Sequence, residues 1–518
     1  MDGTIHMLIK IILLIVFFGT MIGVGIYSRK HTRSVNDFVL GGRGVGPWLT
    51  AFAYGTSYFS AVVFVGYAGQ FGYKYGISAT WIGIGNAVIG SLLAWVILGR
   101  RTRIMSKHFE SKTMPDYFGK RYDSNALRIA ASLISFIFLI PYTASVYNGL
   151  SRLFGMAFDV PYSVCVIVMA TLTCVYIVLG GYMATAINDF IQGIIMLGGI
   201  VVVIVAVLEG KGGFMNAVMQ LSQIPSDVPA TMGQQGAFAS FFGTDPINLM
   251  GVVILTSLGT WGLPQMVHKF YAIKDEKSVK TGTIISTFFA IVVSGGCYFL
   301  GGFGRLFDTP AIHSDNGGVI YDAIIPAMLS TLPDILVGVV IVLVLSASMS
   351  TLSSLVLTSS STLTLDCIKD NIVKNMGEKK QLLTMRILLV FFVVVSVVIA
   401  LDPPTFIAQL MGISWGALAG AFLAPFLYGL YWKGVTKAAV WASFVCGVGI
   451  TVANMFFKFI ASPINAGAIA MLAGLVVVPV VSLITPKMSR QKVEEMFDCY
   501  EQRVVVEQKE ALPSEDRE

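Results

Sequence analysis

The chain has 518 residues, of which 55% are hydrophobic and only 12% charged, and its mean hydropathy is +0.77. Soluble domains carry about 25% charged residues, so the composition excludes an ordinary soluble fold and points to a polytopic membrane protein. The net charge of +6 is modest, and no basic patch interleaved with aromatics supports nucleic-acid binding.

A spanning helix needs about 20 mainly apolar residues. Thirteen segments qualify, near 5–27, 47–72, 78–99, 127–151, 160–179, 184–208, 246–267, 281–304, 334–364, 386–401, 404–430, 437–457 and 465–485. The first lacks a small-residue cleavage site, and its basic cluster (Arg29, Lys30, Arg33) follows the apolar run, so it reads as a retained span and not a signal peptide. Short cytoplasmic loops collect Lys and Arg. The stretches Arg29 to Arg43, Arg100 to Arg121, Lys269 to Lys280, Lys369 to Arg386, Lys433 to Lys437 and the tail from Lys487 hold 28 of the 35 Lys and Arg residues, all on one side. Thirteen spans then place the N-terminus outside and the C-terminus in the cytoplasm. The membrane domain runs over 1–485, and the polar tail 486–518 is too short for an independent domain.

The second span reads AFAYGTSYFSAVVFVGYAGQFG, its apolar pattern interrupted at Gly55, Thr56, Ser57 and Ser60. The seventh reads ILTSLGTWGLPQMV, interrupted at Gly259, Gly262 and Pro264. Interior glycine costs a helix about 1 kcal/mol and proline about 3, so these are the cheapest places to unwind. Secondary transporters carry such broken helices at matched positions of two inverted halves, whereas close packing by small residues is the competing explanation for either span alone.

The ninth span, VIVLVLSASMSTLSSLVLTSSS, is crowded with hydroxyls at Ser346, Ser348, Ser350, Thr351, Ser353 and Ser354. Lipid offers these groups no partner, so they turn toward protein, water or a bound ion, and hydroxyl and carbonyl oxygens are hard ligands suited to sodium. Ser350, Ser353 and Ser354 share a face by helical spacing, with Thr351 beside them. Ser and Thr also bond back to carbonyls one turn earlier, which is expected for most of Ser359 to Thr364. Asp189, in GGYMATAINDFIQGIIM, is an ionisable group inside a span and so a functional candidate; its alternative is an acid at the headgroup boundary.

Other chemistries find no support. The six cysteines avoid the loops 209–245 and 305–333 and form no Cys-x-x-Cys or Cys/His spacing, so neither a disulfide framework nor zinc is expected. No phosphate-binding loop appears, which leaves an ion gradient as the energy source. No His, Cys or paired-carboxylate constellation suggests an enzyme, no organic cofactor is expected, and no repeated filter or charged ring suggests a channel.

Five motifs together carry a resemblance: DFVLGGR (37–43), SAVVFVG (60–66), GGYMATAINDFIQG (180–193), TWGLPQMVHKFYA (260–272) and MSTLSS (349–354). Over about residues 5–485 the chain resembles the sodium:solute symporters, the family of the sodium/proline, sodium/pantothenate, sodium/sialic acid and sodium/glucose cotransporters. The resemblance implies an all-α polytopic membrane protein with 13 transmembrane helices. Its core would be two inverted five-helix repeats with discontinuous helices, at about 47–208 and 246–430. It implies a sodium site at the backbone carbonyls of Thr56 and Phe59 and the hydroxyls of Ser350 and Thr351. Asp189 would support this ion or a second one, and Ser353 and Ser354 match positions used for a second sodium in some members. Ser57, Ser60, Tyr142, Trp261 and Gln265 would line the solute cavity. The expected partners are sodium, a small organic solute and the bilayer, and proline or a related amino acid or carboxylate is the first solute to test. Tyr142 matches a tyrosine of the proline members, but Tyr58 stands where they have an aspartate and Thr256 where they have a tryptophan. Alternatives are proton-coupled transport through Asp189, or a non-transporting solute sensor or ion channel on the same fold.

Overall fold

The computed structural model describes residues 2–501 apart from residues 31, 33, 159 and 370. Arg33 of the first basic cluster and the tail beyond residue 501 therefore lie outside the described residues. In hydrocarbon a backbone can satisfy its own polar groups only within a helix or a closed barrel. Here the described residues form helices, with only isolated bridge pairs of extended backbone.

Eleven helices are long and apolar enough to cross a membrane, against the thirteen segments expected. The second half of the second expected span and the whole of the third lie within one helical run, Val62–His108, and the fifth contributes the shorter apolar helix Tyr162–Val175. The long run turns at Gly76, where φ is +64° and a Cβ would sit 2.0 Å from the Phe238 carbonyl oxygen; only glycine fits there. Beyond the turn the chain comes back alongside the preceding helix, Pro47–Tyr58. The Tyr54 hydroxyl donates to the Gly90 carbonyl at 2.7 Å, and the Tyr54 and Trp95 rings are 5.5 Å apart. A second left-handed residue, Gly181 (φ +60°), divides Tyr162–Glu209 into two segments.

Two helices are broken where the sequence suggested. Pro47–Tyr58 stops at Phe59, whose backbone is extended (φ −104°, ψ 114°), and helical structure resumes over Val62–Tyr67 and Ala68–Tyr75. Pro246–Leu258 tightens into a 3-10 turn over Gly259–Trp261, passes through extended Leu263 and restarts as Pro264–Ala272. Proline fits the first position of a helix and disfavours helical geometry in the residue before it, so Leu263–Pro264 encodes the second break directly.

The hydroxyl-rich helix Asp334–Thr362 is the axis of the molecule, with every residue from Leu343 to Thr362 buried. It packs against Asn125–Phe158, Tyr162–Glu209 and the first half of the first broken helix. Ile407–Tyr431 forms a second packing centre with Lys437–Phe457 and Pro463–Ile484.

At the end of the bundle rich in Lys and Arg, the two broken helices are tied together. The Val45 N–H donates to the Ala272 carbonyl at 3.3 Å, and the Lys274 N–H donates to the Val45 carbonyl at 2.9 Å. Arg43 reinforces this closure by donating to the carbonyls of Ser106, Ser111 and Tyr271. The opposite end holds a polar cleft of about 560 Å³ lined by Gln70, Lys74, Asp245, Arg305, Tyr321 and Asn465, among others. The six cysteines are all free thiols.

Candidate functional site

A carbonyl inside an α-helix accepts from the N–H four residues on. The break at Phe59 interrupts that ladder, and the Thr56 carbonyl accepts from two hydroxyls of the axial helix, Ser350 Oγ at 3.0 Å and Thr351 Oγ1 at 3.2 Å. Thr351 Oγ1 also lies 3.5 Å from the Ser57 carbonyl. The structure thus brings Thr56, Ser350 and Thr351 into direct contact, all wholly buried, with Phe59 buried at the break itself. Both hydroxyls have a second acceptor in the Ala347 carbonyl. They can turn toward it and leave their lone pairs, with the Thr56 carbonyl, to a cation. Farther along the same helix, Ser360, Ser361 and Thr362 bond back to carbonyls three residues earlier, as expected of hydroxyls that serve packing.

Asp189 is completely buried, so its carboxylate is packed among protein side chains and not exposed on the bundle surface. Neither carboxylate oxygen has a hydrogen-bond partner among the described residues. Its helix presses on the first broken helix: a Cβ on Gly193 would come 2.2 Å from Phe52 Cδ1 and 3.1 Å from Thr56 Cγ2. An uncompensated buried carboxylate costs several kcal/mol, and the positive charge acting on Asp189 is Lys269, itself only 2% exposed. The Lys269 ammonium donates to Ser354 Oγ at 2.9 Å and lies 5.1 Å from the Tyr182 ring centroid. Ser354 Oγ is in turn 2.6 Å from Ser57 Oγ. Ser353 turns the other way and donates to the Ser350 carbonyl at 2.8 Å. Lys269 was not foreseen, because it reads as the first residue of a basic loop. The signal is Pro264, whose helix restart carries Lys269 back into the packed interior.

The expected solute residues divide into two groups. Trp261 Nε1 donates to the Ile89 carbonyl at 2.9 Å, Ser60 Oγ accepts from the Val62 N–H at 3.1 Å, and Ser57 is engaged with Ser354 and the Ala53 carbonyl; these three are committed to the framework. Gln265 is buried with both side-chain polar atoms unpartnered among the described residues, and the buried Tyr142 hydroxyl has Ser60 beside it. Buried polar atoms are nearly always hydrogen-bonded, so Gln265 presents bonding capacity to something else. Around Tyr142 and Gln265 stand residues the sequence did not single out. The Trp415 ring is 5.9 Å from Tyr142 and stacks on Tyr58 at 5.7 Å, and the Tyr67 hydroxyl and Trp415 Nε1 also lack partners among the described residues. The two positions that depart from the proline members touch each other, the Tyr58 hydroxyl donating to the Thr256 carbonyl at 2.5 Å.

The sequence profile described as the sodium:solute symporter family matches residues 38–447. The chain belongs to that family. It is accordingly a multi-pass membrane protein and a sodium-coupled symporter, not an enzyme. The symporter is 28% identical over 493 residues to a sodium/proline symporter of Staphylococcus aureus (strain JH9), covering 93% of each chain. It is also 28% identical to an osmoregulated proline transporter of Bacillus subtilis (strain 168), over 84% of this chain and 87% of that protein. Its fold is similar to that of a Na+-coupled sialic acid symporter solved in a substrate-bound outward-open state, with a TM-score of 0.75 at 17% identity over 93% of this chain and 99% of that one. A nucleobase-cation-symport-1 family transporter, Mhp1, in a closed conformation, superposes more loosely, with a TM-score of 0.54 at 13% identity over 89% and 97% of the two chains.

Proposed function

We propose that this symporter imports proline or a related small amino acid or carboxylate, with sodium held by the carbonyls of Thr56 and Phe59 and the hydroxyls of Ser350 and Thr351. The observation that carries the reading is the pair of hydroxyl contacts to the Thr56 carbonyl beside a helix break. Hydroxyls that already converge on a carbonyl freed from its helix need little rearrangement to surround a cation. Asp189 supplies negative charge close to that cage, and Ser353 and Ser354 flank it. The solute lies between the two breaks, where Gln265 offers unpartnered polar atoms, Tyr142 its hydroxyl, and Ser57, Ser60 and Trp261 shape the wall. The names of the two proline-transporting relatives support the choice of solute, while the Tyr58 and Thr256 pair gives the cavity a wall those residues' counterparts would not.

In this reading the chain crosses the bilayer thirteen times, with inverted repeats over about 47–208 and 246–430 and a short tail from 486. The positive-inside rule makes the basic end cytoplasmic, the C-terminus cytoplasmic and the N-terminus external. Sodium enters from the cleft side, fastens the first broken helix to the axial helix and so preorganises both breaks for solute. Rocking of the two bundles then opens the basic end. One monovalent ion moving down about 100 mV gains about 2.3 kcal/mol, and a tenfold gradient adds about 1.4, enough for several-hundredfold accumulation with one-to-one coupling.

The test is uptake of radiolabelled proline, other amino acids, pantothenate, short carboxylates and sugars into proteoliposomes, with and without an inward sodium gradient. Sodium-driven accumulation of proline or a close relative is the expected result. Accumulation driven by a pH gradient and indifferent to sodium would overturn the sodium site and make Asp189 a proton carrier.

A further inference from the structure

We propose that the Lys269 ammonium is a built-in cation beside the Ser350 and Thr351 cage, so that the symporter binds one sodium ion per cycle and not two; the inference rests on the sodium site proposed above. Lys269 and Asp189 are both buried, and each is the opposite charge that acts on the other. The ammonium is one hydrogen bond from Ser354 Oγ, at 2.9 Å. That contact uses a lone pair of Ser354, whose hydroxyl hydrogen is then directed to Ser57 Oγ at 2.6 Å. The other hydroxyl at this level, Ser353 Oγ, is turned to the Ser350 carbonyl. A free cation placed among Ser353, Ser354 and Asp189 would therefore compete with a tethered one for the Ser354 hydroxyl and sit beside its positive charge.

The tether also has a mechanical consequence. Lys269 belongs to the second broken helix, Ser354 to the axial helix and Ser57 to the first broken helix, so one chain of two hydrogen bonds links all three. A sodium ion bound there would make the same link and then leave with the solute; Lys269 stays. The cycle then moves one sodium charge per solute, and the second positive charge never crosses the membrane.

The experiment counts ions directly. Purified full-length protein is titrated with radiolabelled sodium to saturation, and bound ions per chain are measured for the wild type, Lys269→Arg, Lys269→Gln and the double variant Lys269→Gln with Asp189→Asn. One ion is expected for the wild type and Lys269→Arg, two for Lys269→Gln, and one again for the double variant. Two ions on the wild type, or one on a folded Lys269→Gln protein, would overturn the inference while leaving the sodium site standing. Zero ions on a folded wild-type protein would instead defeat the sodium site itself. If the Lys269→Gln protein does not fold, the wild-type count alone decides.

Discussion

The two broken helices solve one problem by different means. In the second, the break is written into covalent structure: extended Leu263 precedes Pro264, which has no N–H to give and starts the next helix at its first position. In the first there is no proline. Phe59 is held extended by what surrounds it, with the Ser60 hydroxyl capping the restart and the Ser350 and Thr351 hydroxyls accommodating the Thr56 carbonyl. A break maintained by noncovalent partners is one that a bound ion can stabilise or release. The second break is the fixed element and the first is the responsive one, and the cation site belongs to the responsive one.

The comparison breaks most severely where charge is buried. Asp189→Asn leaves Lys269 without the opposite charge that acts on it, and an uncompensated buried charge costs several kcal/mol. The expected outcome is a marked fall in the thermal stability of the purified protein together with loss of sodium-driven uptake; an Asp189→Asn protein as stable as wild type would mean that Lys269 does not depend on this acid. The two breaks themselves are separated by a matched pair of variants. Ser60→Ala removes the cap of the first restart, a loss of about 1 kcal/mol, and is expected to raise the sodium concentration needed for half-maximal uptake. Pro264→Ala removes preorganisation worth about 0.4–1 kcal/mol and is expected to lower stability without altering sodium dependence. Equal sodium shifts in both variants would erase the distinction between a responsive and a fixed break.

The smallest effect lies at the far end of the first broken helix. There Arg305 donates to the Tyr73 carbonyl and to both carboxylate oxygens of Asp227, and its hydrogen bond holds the Asp227 carboxyl below the usual range. A depressed carboxyl contributes stability in full above its unfolded value, near pH 4, and loses it as pH falls through the lower folded value. Because Asp227 is mostly exposed, the pair is worth at most about 1 kcal/mol. Asp227→Asn is expected to be slightly less stable than wild type at neutral pH and to converge with it below about pH 4, as read from melting curves.

The parts of this account that could be read in the sequence are those where a residue conflicts with its surroundings. Hydroxyls at 350 and 351 in an apolar run, an acid at 189 and Gly-Leu-Pro at 262–264 each violate what lipid tolerates, so each announces a site or a break. Lys269 was hidden because a lysine at the end of an apolar segment conforms to expectation, and only its hydrogen bond to Ser354 separates it from a loop residue. Trp415 and Tyr67 were hidden for the opposite reason: aromatics among apolar residues look like core, and their unpartnered polar atoms appear only once neighbours are placed. Near Gly76 and Gly181 the sequence divides one span from the next, while the structure carries helical backbone nearly continuously through a single left-handed glycine, so eleven long apolar helices stand against thirteen expected segments.

The central claim, that sodium is held where the first broken helix meets the axial helix, is tested most directly by the sodium activation curve of Thr351→Ala. Hydrogen-bond-strength contacts to charged groups are worth about 1.5–3 kcal/mol, so the half-activating sodium concentration should rise at least about tenfold, with the order of preference among solutes unchanged. An activation curve that superposes on the wild type's would contradict the account.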